Sequence, residues 1–333
     1  MDLNPGKLPR GSRNSIADVP GVTVGHTTID NARHKTGVTV VMPCGDDIFK
    51  DKMAAASFVL NGFGKTAGLV QIDELGTLET PIALTNTLNV GLVHDALVEY
   101  MCIQAEKNGY TIRSVNPIVC ECNDASLNDI RERVIGQAEV FSAIESASAD
   151  FAQGDVGAGK GMTCHDLKGG IGSASRLVQI GNETFSLGIL ALTNHGKLSD
   201  LQIGGKPLGR EIEEKLHEDT PDQGSCILIL ATDLPATSRQ LKRILKRCSV
   251  GLARLGSFIG HGSGEIFIGF STANRIPEKG DCLNLRCIHE SQMDQPFRAA
   301  AEAAEEAVLR SMLEADTVTG YSGKVRRSLR EFL

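Results

Sequence analysis

The chain has 333 residues, of which 41% are hydrophobic and 23% are charged, and its formal net charge is −7. This is globular composition, and the length allows one large α/β domain or two smaller ones. No run of about 18 apolar residues offers a membrane span. The acidic balance, with no Trp and three Tyr, argues against a nucleic-acid surface, which needs basic patches and stacking aromatics.

The first fourteen residues carry Lys7, Arg10 and Arg13 but no apolar segment after them, so no signal peptide or membrane anchor is expected. Nine cysteines without C-x-x-C spacing fit reduced thiols better than a disulfide framework or a zinc site. None of the eight histidines has a further histidine within four positions. We therefore expect a cytoplasmic protein without a metal or other cofactor.

Apolar, β-branched runs predict strands, and helical spacing of apolar residues predicts helices. Strands are predicted at residues 22–28, 37–42, 118–122, 175–180, 184–192, 225–231 and 264–270, and a closely packed small-residue element at 54–60. Helices are predicted at 86–107, from Ser238 as N-cap to 252, and at 296–315, with 318–333 as a tail. Residues 211–224 form the most loop-like segment. Interleaved strands and helices indicate a layered α/β or α+β fold.

Two glycine-containing segments resemble nucleotide-binding motifs. Gly64, Lys65 and Thr66 end like a P-loop, but Val59 occupies the position where that motif needs its first glycine. Residues 157–161 lack the spacing of a dinucleotide-binding loop, which favours a structural turn. The surrounding stretch 154–172 is the richest in glycine, and we expect it to form a flexible active-site rim.

A different kind of chemistry is indicated where a long polar stretch meets a hydrophobic strand. There Gly224 precedes Ser225, the first residue of that strand. A serine hydroxyl is a weak nucleophile without a base. Cleavage of the preceding peptide bond would give Ser225 a free α-amine, whose pKa of about 7.7–8.0 suits a base near neutral pH. From spacing alone, a strand that merely begins with serine remains the simpler interpretation.

Two further pairs deserve comparison with that junction. Ser263 and Glu265 are two positions apart before a strand, so both side chains can share one face and relay a proton or hold an amine; turn or cap roles are the alternative. Cys164 and His165 could suggest a thiol nucleophile with its base. Because adjacent residues point apart on a strand, we do not expect that role.

Several long segments carry a resemblance to a known family. They are NSIADVPGVTVGH at 14–26, TGVTVVMP at 36–43, TPIALTNTLNVG at 80–91, LND at 127–129, VGAGKGM at 156–162, KGGIGSASR at 168–176, GS-x-I-x-x-x-ATD-x-P at 224–235 and SFIGHGSGEIFIGFSTANRI at 257–276. Across nearly its whole length the chain resembles the L-aminopeptidase/D-amidase-esterase (DmpA-like) peptidases and the related β-aminopeptidases.

The resemblance implies an α+β fold, a four-layer α-β-β-α sandwich of the DmpA/ornithine-acetyltransferase type formed by one domain over residues 1–333. It implies self-cleavage into residues 1–224 and 225–333. It also implies removal of N-terminal residues from peptides, amino-acid amides or esters by a tetramer of cleaved pairs, with no nucleic-acid or membrane partner.

The resemblance also implies roles for single residues. Ser225 corresponds to the nucleophile and Gly224 to the residue before the cut, Ser263 to a second serine with Glu265 as its partner, Asn194 to the oxyanion-stabilising asparagine, and Glu121 to the carboxylate that receives the substrate amine. Asn123 stands beside Glu121 where the family usually has tyrosine, and Lys65 stands where it has glutamate. Both departures affect expected substrate preference.

Two alternatives remain at this stage. An acyltransferase of the ornithine acetyltransferase type shares the fold and self-cleavage but uses a threonine nucleophile, and Ser225 weighs against it. The second alternative is a homologue that is neither cleaved nor catalytic.

Overall fold

The computed structural model describes residues 5–216 and 224–333. The strands are β1 Thr23–Asp30, β2 Lys35–Met42, β3 Asp51–Gly62, β4 Thr77–Leu78, β5 Ile82–Asn86, β6 Ile118–Cys122, β7 Thr163–Cys164, β8 Leu167–Lys168, β9 Ile171–Ile180, β10 Glu183–Asn194, β11 Gly224–Thr232, β12 Ser263–Pro277, β13 Val318–Thr319 and β14 Val325–Arg326. The helices are α1 Leu69–Leu75, α2 Val90–Lys107, α3 Gln137–Glu145, α4 Leu208–Leu216, α5 Ser238–Arg254 and α6 Asp294–Leu313. Within the described residues, no helix combines the length and apolar character required to span a bilayer.

Two sheets form the centre of the molecule. One has the strand order β1-β2-β5-β6, and the other has the order β4-β3-β12-β11-β10-β9. Helices α2 and α3 pack on the four-stranded sheet, and α5 and α6 pack on the six-stranded sheet. The α-β-β-α sandwich that the resemblance implied is confirmed.

Alternate side chains of β11 pack into two different cores of the molecule. Cys226, Leu228 and Leu230 belong to the core beneath α5 and α6. Ile227 and Ile229 belong to the core between the two sheets. Because successive strand residues point to opposite faces, Ser225 at the start of β11 points to the inter-sheet side.

The glycine-rich segment is structural, as its spacing indicated. A Cβ on Gly159 would lie 2.6 Å from the main-chain nitrogen of Ile171, and one on Gly161 would lie 2.2 Å from the carbonyl oxygen of Lys35. Glycine therefore permits a backbone-to-backbone approach that no side chain would allow. Residues 157–159 are buried and do not form a flexible rim. Later residues of the same segment, Thr163 and Asp166, line the cavity described below.

The segment 86–107, predicted as one helix, consists of the end of a strand, a 3₁₀ turn and helix α2. Strand β5 ends at Asn86, whose side chain accepts hydrogen bonds from the main-chain nitrogens of Leu88 and Asn89 at 3.2 and 3.1 Å. A 3₁₀ turn, Thr87–Asn89, then leads into α2. The spacing of apolar residues predicted α2 but not the capped turn before it, because that turn depends on a single side chain.

Three other sequence predictions are corrected. Residues 211–216 belong to α4, an amphipathic helix whose polar residues resembled a loop, while 217–223 lie outside the described residues. The N-cap of α5 is Thr237, which accepts from the Gln240 main-chain nitrogen, and not Ser238. The tail at 318–333 contains the hairpin β13–β14.

A buried ion cluster joins β9 to α6, and we expect it to be important for stability. Arg176 contacts Glu302 at 3.3 Å and Glu306 at 2.7 Å, and the three side chains are 1%, 2% and 6% exposed. Arg176→Leu removes the buried cation of this cluster and leaves only the outer partners, Arg10 at 2.8 Å from Glu306 and Arg298 at 3.8 Å from Glu302. The free energy of unfolding should fall by about 3 kcal/mol, measured by urea denaturation.

Arg286→Leu is the matched control, because Arg286 pairs with Glu183 at 3.2 Å on an exposed surface. That variant should lose at most about 1 kcal/mol. Equal losses in the two variants would contradict a special role for the buried cluster.

Candidate active site

The ends of three neighbouring strands, β10, β11 and β12, lie side by side in the six-stranded sheet. In the antiparallel pair β10–β11, Asn194 lies opposite Ser225. In the parallel pair β11–β12, Gly224 is level with Ser263 and Ser225 with Gly264. Directly opposed residues of neighbouring strands point to the same face, so Asn194 and Ser225 present their side chains together.

These side chains open into a cavity of about 520 Å³. Ser225, Asn194, Glu121 and Asn123 all line it. The structure therefore brings together residues that are up to 104 positions apart, from Glu121 in β6 to Ser225 in β11. Three of these residues, Ser225, Asn194 and Glu121, are the ones to which the resemblance assigns the roles of nucleophile, oxyanion donor and amine-binding carboxylate.

Glycines on two sides determine the surroundings of Ser225. A Cβ on Gly224 would lie 1.9 Å from the carbonyl oxygen of Asn194, and one on Gly264 would lie 3.0 Å from Ser225 Oγ. Ser225 is 5% exposed, and its Oγ donates a 2.7 Å hydrogen bond to the carbonyl oxygen of Gly224. The hydroxyl thus lies against the carbonyl group of the peptide bond expected to break.

The orientation of the Asn194 amide follows from one hydrogen bond. Its Oδ1 accepts from the main-chain nitrogen of Thr163 at 2.9 Å. Because a main-chain N–H can only donate, the oxygen must face Thr163, and Nδ2 remains as the donor. An amide fixed in this way is suited to stabilise negative charge that develops beside Ser225.

Glu121 is a nearly buried carboxylate, 2% exposed, at the cavity wall. Oε1 accepts a 2.8 Å hydrogen bond from the main-chain nitrogen of Lys65. Thr87 Oγ1 donates to Oε2. Among the described residues no cation forms an ion pair with Glu121, so its negative charge is available to a cationic group in the cavity.

Ser263 and Glu265 form a pair, as their spacing indicated, and Ser263 Oγ donates to Glu265 Oε1. Both are buried, and neither appears among the described residues that line the cavity. By strand alternation they point to the side of Phe267, which belongs to the core beneath α5 and α6. They therefore lie on the sheet face opposite to the Ser225 hydroxyl.

The sequence did not reveal the groups that hold Asn194 and Glu121 in place. Thr163 and Thr87 hold them through a main-chain nitrogen and a hydroxyl from distant segments. Thr87 lies in the family-like segment 80–91, but nothing in that segment indicated a contact with Glu121. Asn123, the expected substrate contact, is exposed at the cavity, and its Oδ1 accepts from the main-chain nitrogen of Ala125 at 3.0 Å.

One group of metal-ligand residue types lies beside the site. Cys164, His165 and His195 place one ligand atom each within 4.8 Å of one another, and all three residues are buried. Short spacings in the sequence did not indicate this arrangement, because its members come from two segments. Thiol and imidazole are ligands that transition metals accept. The sequence-based expectation of no metal stays a prediction.

Burial shifts the pKa values of two members of this group. It lowers the pKa of His195 to about 3, so this imidazole is neutral at physiological pH. It raises the pKa of the Cys164 thiol to about 12. A thiol with so high a pKa is a poor nucleophile, which argues against that role for Cys164. The reason given from the sequence is wrong, because the strand ends at Cys164 and a ligand atom of His165 lies within 4.8 Å of that of Cys164.

Comparison with known proteins gives consistent matches. Residues 14–326 match the profile of peptidase family S58. A β-peptidyl aminopeptidase, BapA of Sphingosinicella xenopeptidilytica, is 36% identical over 335 residues, covering 93% of this chain and 83% of the relative.

Two solved structures are similar over 98% of this chain and 94% of their own. The PH0078 protein of Pyrococcus horikoshii OT3 has a TM-score of 0.93 at 45% identity. The L-aminopeptidase D-Ala-esterase/amidase of Ochrobactrum anthropi, described as a prototype of the serine aminopeptidases with a variant Ntn-hydrolase fold, has a TM-score of 0.91 at 32% identity.

The close approach at Gly224 generates a prediction. Gly224→Ala would force β11 away from the Asn194 carbonyl and displace the Ser225 hydroxyl. Since a displacement of about 1 Å can cost about 10²-fold in rate, the self-cleavage expected between residues 224 and 225 should slow by that order. Intact-mass spectrometry of freshly synthesised chain measures this rate.

Gly91→Ala is the matched control, because a Cβ added there meets nothing within 4 Å. Gly91 lies near the start of α2, where alanine is favoured by about 0.5–1 kcal/mol. Cleavage of the control should proceed at the unmodified rate. Normal cleavage of the Gly224 variant would show that the close approach does not position the serine.

Proposed function

The chain belongs to peptidase family S58, and we propose that it is a self-processing serine aminopeptidase or amidase with Ser225 as its nucleophile. One observation carries the assignment of the site. Ser225, the second residue of β11, lies beside the oriented amide of Asn194, and the carboxylate of Glu121 lies in the same cavity. That combination offers an attacking oxygen, an oxyanion donor and a partner for a substrate amine.

Maturation begins with an N-to-O acyl shift. Ser225 Oγ bonds to the carbonyl carbon of Gly224, the C–N bond to Ser225 breaks, and the hydroxyl proton passes to the departing nitrogen. Water then hydrolyses the resulting ester and leaves a carboxylate on Gly224 and a free amine on Ser225. The contact between Oγ and the Gly224 carbonyl group, 2.7 Å between oxygens, supports this route.

Substrate cleavage repeats the same chemistry on another carbonyl. Ser225 Oγ attacks the carbonyl carbon of the substrate's first residue while its α-amine accepts the hydroxyl proton. The amine then protonates the leaving nitrogen as the scissile C–N bond breaks. Water attacks the acyl-enzyme, releases the first residue as a carboxylic acid and restores the hydroxyl.

The surrounding residues receive roles from their positions. Asn194 Nδ2 donates to the developing oxyanion, and Glu121 holds the substrate ammonium, which restricts cleavage to the first residue. Ser263, linked to Glu265, is level with Gly224 in the parallel pairing, which supports a role for the two in orienting the new amine of Ser225. Asn123 borders the space for the substrate.

Two of the similar proteins named above, BapA and the Ochrobactrum anthropi enzyme, are aminopeptidases, which favours hydrolysis over the acyltransferase alternative. The substrates are peptides, and we extend them to amino-acid amides and esters. We further propose a cytoplasmic homo-oligomer, a tetramer of cleaved pairs. All nine cysteines are free thiols, in keeping with a reducing compartment.

Removal of the nucleophile tests the proposal most directly. Ser225→Ala has no oxygen for either acyl transfer, so the chain should stay at its full mass of about 35.5 kDa and release no product from aminoacyl amides. Ser249→Ala, on α5 and away from the cavity, is the control and should be cleaved and active. Turnover by the Ser225 variant would exclude this mechanism.

The oxyanion role predicts a loss confined to the chemical step. Asn194→Asp retains the oxygen that accepts from Thr163 but replaces the Nδ2 donor with negative charge, and kcat should fall by at least about 10²- to 10³-fold. The rate must be measured on the cleaved fraction, quantified by mass spectrometry. An unchanged kcat in that fraction would remove Asn194 from the mechanism.

A further inference from the structure

The cavity has an unusual charge pattern for a chain with a net charge of −7. Lys65 and Lys324 both line it, both are exposed, and neither has an ion-pair partner among the described residues. We propose, on the basis of the proposed function, that these two lysines form a carboxylate-binding rim and that the enzyme prefers short peptides with a carboxylate near the scissile bond.

Lys65 is directly connected to the residue that anchors the substrate. Its main-chain nitrogen donates to Glu121 at 2.8 Å, so its side chain begins beside the bound ammonium group. Its Nζ lies 4.4 Å from the centroid of the Phe63 ring, which also lines the cavity. This cation–π contact keeps the ammonium at the cavity wall without neutralising it.

The charged side chains that line the cavity can be compared pair by pair. Arg326 donates to the main-chain oxygen of Asp166 at 2.9 Å and lies 3.6 Å from its Oδ1, so these two form a pair. The proposed substrate ammonium offsets Glu121. Among the described side chains that line the cavity, the charges left over are then those of Lys65 and Lys324. The carboxylate that cleavage leaves on Gly224 can offset only one of them, and a carboxylate on the substrate would complement the other.

Two substrate groups could supply that carboxylate. The side chain of an N-terminal aspartyl or glutamyl residue would lie on the residue held by Glu121 and would meet Lys65. The terminal carboxylate of a dipeptide lies beyond the scissile bond and would meet Lys324, which the β13–β14 hairpin brings to the cavity from another side. The chemistry is shared, and the two positions can be tested separately.

Comparing charged substrates with neutral substrates of the same size separates the effect of charge from the effect of size. With the mature enzyme, kcat/KM should be about three- to five-fold higher for aspartyl and glutamyl amides than for asparaginyl and glutaminyl amides, and should converge at high salt. The dipeptide Ala-Gly and its C-terminal amide form the second pair. Lys65→Gln should abolish the first preference, and Lys324→Gln the second.

Lys107→Gln, at the end of α2 and outside the residues that line the cavity, is the control and should keep both preferences. Equal kcat/KM values for charged and neutral members of both pairs would overturn the proposal, as would preferences that survive both lysine variants. Failure to hydrolyse even the neutral amides would instead contradict the proposed function.

Discussion

The site depends on the register of three neighbouring strands. Ser225 lies between Asn194 on β10 and Gly264 on β12, and both pairings are set by main-chain hydrogen bonds. A slip of β11 by one residue would turn the hydroxyl into the apolar core beneath α5 and α6 and present Cys226 to the cavity. An unpaired hydroxyl in that core is costly, so packing and chemistry select the same register.

Backbone groups then immobilise the side chains that the register brings together. Asn194 is oriented by the main-chain nitrogen of Thr163, and Glu121 by that of Lys65. Main-chain donors in packed segments have little freedom to reorient, so the site is organised before substrate arrives. The glycines at 224 and 264 complete this arrangement, because a Cβ at either position would enter occupied space.

Local patterns predicted the parts of the molecule that depend on neighbours in sequence. The strand Ile118–Cys122 matches its predicted bounds, and the Ser263–Glu265 pair follows from period-two alternation. The α4 helix was mistaken for a loop because its charged residues conceal a narrow apolar stripe.

Contacts between distant segments carry no local signature. Spacing could not show that Thr87 and Lys65 meet Glu121, or that Cys164 approaches His195. Asn194 and Glu121 were assigned from the family resemblance, and the structure adds the reason they meet, namely that their strands end at one edge of the cavity.

The sheet itself separates the two chemical functions proposed for Ser225. Its hydroxyl points to the inter-sheet side, toward Asn194 and the cavity, whereas Ser263 and Glu265 point to the opposite face. The α-amine released by cleavage belongs to the main chain, at the boundary between these faces. In the proposed mechanism, substrate would therefore occupy one side while a buried hydroxyl and carboxylate act on the amine from the other. A nucleophile at any interior position of β11 would lack this access, because its nitrogen would remain in a peptide bond. The start of a strand is thus the position at which a single residue can offer its side chain to one face and its amine to the other.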